Sequence, residues 1–284
     1  MRQKMASSPL RLKAPYHARS VSLPSRSHPL IPEHLCRIRT PDHEASSSSL
    51  TSISNKLSGL KDLHDCVSDL LLLPHIEQAL AREHNEKFVD EVVDGYLRLL
   101  DVCSTAKDVF SQKKQDVQDI LSTLRRKRGA NDFPRYVASR KMMKKTIQKP
   151  LKDLKSIKNK SALLLKDKDS KTVAIFGMLK EVETTTLAVF ESMLSYVGVQ
   201  SRQRGWSLVS KLFQCKSVSC QDEETNGNEF EKLDGALKAG KFNCIQNQFG
   251  KMESSIQDIE DRLECLFRRL IKTRVSLLNI LNNH

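Results

Sequence analysis

The sequence is poor in the residues that build sheets and in those that break helices. Aromatics make up 5% of the 284 residues, with 10 Gly and 9 Pro. Pro9, Pro15, Pro24, Pro29 and Pro32 all lie in the first 32 residues, so the rest of the chain has few breakers. That distribution favours long helices over strands. Acid is missing from the N-terminus, where the first carboxylate is Glu33. Long hydrophobic runs are missing as well. Leu70–Leu73 and Val173–Phe176 fall far short of the roughly 20 residues of a membrane span. No GxGxxG, Walker loop, HExxH or GxSxG occurs, so the chain offers no familiar catalytic motif, and the expectation is a protein that is not an enzyme. The odd count of seven cysteines, with no visible signal peptide, predicts free thiols in a reducing compartment rather than a disulfide framework. Cys215 and Cys220 lack the second ligand pair that structural zinc needs, and the eight histidines show no ligand spacing; no metal or cofactor is expected.

What is present is a tail followed by helical pattern. Residues 1–47 are rich in Ser, Pro, Arg and His without apolar periodicity, and read as a disordered tail. The Arg- and Ser-rich, acid-poor composition also suits an organelle transit peptide, although five prolines oppose the amphipathic helix such a peptide uses. Met5-Ala6-Ser7 is an ordinary start, which leaves Met1 and Met5 as alternative first residues. From 48 to 284 the pattern predicts an all-α fold: an elongated bundle with coiled-coil-like long helices. Ile53, Leu57, Leu60, Val67 and Leu71 form one stripe, ended by Pro74. A second helix opens near Asn85 with Phe88, Val92, Tyr96, Leu99, Cys103, Ala106, Phe110, Val117, Ile120 and Leu124 in a heptad seam interrupted by Lys113, and Gly129 is its expected cap. A third begins after Asn131 or Asp132, and Pro150 should kink or break it. A fourth covers about 170–197, and a short one is expected at 206–213. Residues 216–229 read as a polar loop. Met252, Ile256, Ile259, Leu263, Leu266, Leu270, Thr273, Leu277 and Ile280 keep heptad spacing, and Phe267, Ile271, Val275 and Leu278 widen the stripe. The last helix is therefore expected inside a bundle, antiparallel to the second, rather than in a self-associating coil. His64 is expected to be partly exposed, and the acid pairs Asp90 with Glu91 and Glu181 with Glu183 to lie on solvated faces.

Two end segments carry a resemblance. Residues 16–26, Tyr16-His17-Ala18-Arg19-Ser20-Val21-Ser22-Leu23-Pro24-Ser25-Arg26, and residues 268–281, from Arg268-Arg269-Leu270-Ile271-Lys272-Thr273 to Leu281, resemble the plant-specific BYPASS-related proteins. The resemblance implies a plant protein, helical throughout, linked at family level to root and shoot development, with no established biochemical activity and no catalytic residues. One family member is labelled chloroplastic, which supports the transit-peptide alternative.

Two features point to binding. Arg19, Ser20, Ser22 and Pro24 fit R-S-x-S-x-P, the arrangement read by 14-3-3 proteins once the second serine is phosphorylated. Short motifs of this kind also arise by chance in Ser/Arg-rich tails. The second feature is charge. Residues 125–168 hold 16 Lys/Arg against Asp132, Asp153 and Asp167, so this segment accounts for the whole net charge of +13. Arg140, Lys141, Lys144, Lys145, Lys149, Lys152, Lys155, Lys158 and Lys160 recur at helical spacing beside an apolar stripe. Such a face suits an acidic partner: an anionic membrane surface, a calmodulin-type reader or nucleic acid. The lack of interleaved aromatics argues against nucleic acid, and no small-molecule substrate is evident. The plain alternative is a solvated bundle face. Arg125–Arg128 suits either a nuclear import signal or the cationic end of a helix. The leading reading is an intracellular adaptor, cytoplasmic or on a membrane surface, with plastid and nucleus as alternatives. The second is a peripheral membrane-binding structural protein that uses helix 140–160.

Overall fold

A computed structural model describes residues 30–40, 49–82, 86–126, 134–161, 171–198, 229–238 and 246–282. Every described element is a helix: α1 (Leu30–Arg39), α2 (Leu50–Leu71), α3 (Pro74–Ala81), α4 (Glu86–Arg125), α5 (Pro134–Ser161), α6 (Lys171–Gly198), α7 (Glu229–Lys238) and α8 (Gln246–Asn282). The all-α expectation holds, and no strand occurs among the described residues.

The bundle is organised around α8, which packs most extensively on α4 and α2, while α6 closes the other side against α4. The heptad positions Met252, Ile256, Ile259, Leu263, Leu266, Leu270, Thr273, Leu277 and Ile280 are all buried. Burying one such aliphatic side chain contributes roughly 1.5–3 kcal/mol, so this one seam anchors the fold. Lys107 meets Glu264 at 2.5 Å, Lys114 meets Glu260 at 2.5 Å, and Gln118 donates to Glu253 at 2.7 Å. Numbers rising along α4 meet numbers falling along α8, so the two helices are antiparallel, as their patterns predict. Along α2 the numbers rise together: Ser54 bonds Asp258, Ser58 bonds Arg262, Arg269 pairs with Asp65, and Ser68 meets Thr273 at 3.3 Å. α2 and α8 therefore run parallel. Ser49 caps the start of α2, its hydroxyl accepting from the Ser52 N–H.

Three features differ from the sequence reading. Leu30–Arg39, inside the stretch assigned to the tail, forms α1. Ile31 and Leu35 are buried, and Arg39 reaches Glu181 at 2.7 Å and Thr185 at 2.8 Å on α6. Ten residues carry too short an apolar repeat to stand out beside Pro- and Ser-rich neighbours. α5 continues through Pro150 to Ser161 without a break. Ile147 and Leu154 are buried on either side of the proline, and that packing offsets the lost backbone bond. α7 begins at Glu229, the last residue assigned to the polar loop. Its Phe230 is buried edge-on to Tyr196, with ring centroids 5.7 Å apart. The rest of that loop, the short helix expected at 206–213 and residues 1–29 lie outside the described residues.

Candidate functional site

α5 lies on α6 and α4. Tyr136, Met143, Ile147 and Leu154 are its buried side, Leu151 is half-buried, and Ile147 touches the place where a Gly198 side chain would begin, at 3.4 Å. Period 3.6 then turns Lys141, Lys145, Lys149 and Lys152 to the opposite side and sets Lys144 on the flank, and all five are exposed. Arg140 is half-buried at the edge of this row. Asp153 is the one acid in the helix. The structure thus brings together six of the nine basic residues singled out in the sequence. Lys155, Lys158 and Lys160 lie on the same helix, but their side chains are outside the described residues. Among the described residues of α5, Met142, 63% exposed, is the one large apolar side chain at the surface. The apolar stripe that an interfacial helix would insert into lipid is occupied by the protein core. Arg19, Ser20, Ser22 and Pro24 lie outside the described residues.

The interior holds polar chemistry that sequence reasoning missed. His64 is fully buried, not partly exposed. Thr186 donates its hydroxyl hydrogen to the Val182 carbonyl at 2.7 Å, so it accepts from His64 Nε2 at 3.1 Å. Nε2 therefore carries the ring hydrogen, and Nδ1 has no partner. Burial lowers the His64 pKa from 6.5 to about 4, so the ring is neutral. Tyr96 packs edge-on at 6.1 Å with its hydroxyl likewise buried and unpartnered, and burial raises its pKa.

The acid pairs assigned to solvated faces also differ in part. Glu183 is 3% exposed and receives Arg98 at 3.0 Å and Lys180 at 2.8 Å. Glu91 joins through Lys180 at 2.5 Å and Arg98 at 3.0 Å. Burial alone would raise the Glu91 carboxyl, but the two cations hold it below its ordinary value. Asp90 and Glu181 are exposed as expected, although Glu181 pairs with Arg39. Glu91, Glu181 and Glu183 together tie α1 and α4 to α6.

Lys113, the interruption in the α4 seam, points inward regardless. Its ammonium lies 5.2 Å from the Phe230 ring, 5.9 Å from Tyr136 and 3.9 Å from the Asp116 carboxylate. Burial lowers its pKa to about 8, against the pull of Asp116. The sequence signal was the break in the stripe; its aromatic partners come from elements far along the chain. Cys103 is buried as a small hydrophobe, its thiol pushed up to about 12 by burial and donating weakly to the Leu263 carbonyl at 3.7 Å.

The fold and its exposed chemistry are those of an all-helical bundle protein that presents one lysine-rich helix face. A family model described as Protein BPS1 matches residues 56–280, and the chain belongs to this BYPASS-related family. No curated protein and no solved structure matches it. The C-terminal segment that carried the resemblance is structural in part. Leu270, Thr273, Leu277 and Ile280 are core, Arg269 pairs with Asp65, and Thr273 meets Ser68. No helix among the described residues is long and apolar enough to cross a membrane.

Proposed function

We propose that this BYPASS-related chain is a non-enzymatic adaptor in root and shoot development that acts by protein binding, with α5 as its docking face. The observation that supports the reading is the outward row Lys141, Lys144, Lys145, Lys149 and Lys152 on a helix whose apolar side is already buried. Like charges at helical spacing repel, by about 0.2–0.5 kcal/mol per pair. An acidic surface laid on it relieves that repulsion. The buried stripe also weighs against the two readings that need a free apolar face, lipid insertion and calmodulin-type wrapping. A phosphorylated Ser22, read by a 14-3-3-type protein, is the regulatory half of the proposal.

Affinity capture from root extract by the full chain tests it. Three baits are compared: wild type, Ser22→Ala, and a variant with Lys141, Lys144, Lys145 and Lys149 changed to Glu. The lysine variant loses acidic partners that the wild type holds at low salt, and Ser22→Ala loses the phospho-reader. An unchanged partner set in both variants contradicts the reading. The peripheral-membrane alternative is read in parallel by sedimentation with anionic and neutral vesicles. Salt-sensitive binding to anionic vesicles, lost in the lysine variant, would replace the protein partner with a lipid surface.

A further inference from the structure

A second exposed surface is made by the N-terminal half of α4 and the C-terminal half of α8. Three large apolar side chains stand out there: Leu97 at 43%, Ile271 at 42% and Val275 at 48% exposure. The sequence pattern assigned Ile271 and Val275 to a widened core stripe. The core is filled without them, because Leu270, Thr273 and Leu277 take the inward positions.

Charge on this surface is divided between the two helices. On α4 the exposed neighbours of Leu97 are Asp94 and Asp101, one turn to either side. On α8 the exposed neighbours of Ile271 and Val275 are Arg268 and Lys272. Arg268 is 76% exposed and bonds Glu264 within its own helix at 2.8 Å. Lys107 facing Glu264 sets the register. Ten residues earlier along α4 is Leu97, and ten later along α8 is position 274, between Ile271 and Val275. Six residues before Lys107 along α4 is Asp101, level with position 270, between Arg268 and Lys272. Leu97 and Asp101 on α4 therefore each stand level with a complement on the adjacent helix.

We infer that this face binds a second copy of the chain about a two-fold axis running along the bundle. Such an axis exchanges left and right and preserves level. It lays α4 of one copy on α8 of the other, so that Leu97 enters between Ile271 and Val275 while Asp101 meets Arg268 and Lys272. The contact occurs twice, as an isologous interface requires. The complementarity of charge selects a second copy as the occupant, since one surface carries both halves of the match. This inference does not rest on the α5 reading, which concerns another helix.

Sedimentation equilibrium of the full chain tests it. The expected result is a reversible shift from the 32.3 kDa monomer toward twice that mass, weakening as salt is added. Asp101→Lys alone and Lys272→Asp alone each weaken dimerisation about ten-fold or more, because each places like charges opposite one another. Mixing the two variants restores it, because the two reversed charges then face each other across one contact, and the second contact retains its native pair. Leu97→Asp weakens association in every mixture. All these positions are exposed, and matching thermal transitions show that the variants keep the fold. A monomer at every concentration overturns the inference. So does a dimer that is indifferent to both charge reversals, or a pair of weakened variants that fails to recover on mixing.

Discussion

His64 couples the interior to pH. Its folded pKa of about 4 lies below the unfolded value of 6.5, because burial penalises the charged ring. The unfolded chain therefore binds the extra proton first as pH falls. The stability that the neutral ring contributes is complete above pH 6.5 and is lost between 6.5 and about 4, a difference on the order of 3 kcal/mol. Urea unfolding across that window should show stability rising with pH, and His64→Leu should flatten the slope. An unchanged slope in His64→Leu would place the titrating group elsewhere.

Glycine gives a paired test at the same scale. A methyl group at Gly95 would meet the Glu183 carboxylate, with Oε2 at 2.6 Å, and that carboxylate is pinned by Arg98 and Lys180. Gly95→Ala is expected to destabilise by about 1–3 kcal/mol despite better helix propensity. Gly250 in α8 has nothing within 4 Å, so Gly250→Ala should stabilise by roughly 0.5–1 kcal/mol. If both changes stabilise, the Glu183 network is not rigid. Neither outcome could be argued from sequence. Glu183 and Glu181 read alike as helix-surface acids, and only the approach of α4 makes one of them interior.

At the scale of elements, most of the fold was legible because apolar period and helix length agree over α2, α4, α6 and α8. Nine heptad positions of α8 were assigned to the core and all nine are buried. The failures came where local signal and tertiary packing diverge. α1 and α7 are ten residues each, too short for periodicity to outweigh polar neighbours. Pro150 is a strong local signal, yet the packing on both sides holds α5 continuous. That difference makes a prediction. Pro150→Ala should restore a backbone hydrogen bond and stabilise the protein by up to about 3 kcal/mol, read as a higher denaturation midpoint. No gain would mean that the backbone around 150 departs from helical geometry enough to deny alanine that bond.

For the whole molecule, the charge distribution explains more than the net charge. The excess of +13 equals that of residues 125–168, and five lysines of its described part stand exposed on α5. The candidate face could be read from sequence because lysine at three- and four-residue steps fixes a side once the helix is granted. What sequence left open was whether the apolar side was spent in the core, and Tyr136, Met143, Ile147 and Leu154 answer that. The surface on α4 and α8 was hidden for the opposite reason. Its apolar members looked like core, and its charges belong together only after two helices far apart in the chain are laid side by side.

The central claim is that α5 is the docking face, and amine labelling tests it most directly. The full chain is labelled briefly in buffer and in root extract, and each lysine is read by mass spectrometry, with exposed Lys232 and Lys251 as references. The account predicts that Lys141, Lys144, Lys145, Lys149 and Lys152 lose labelling in extract while the references do not. Equal labelling of the α5 lysines and the references in both conditions would contradict it.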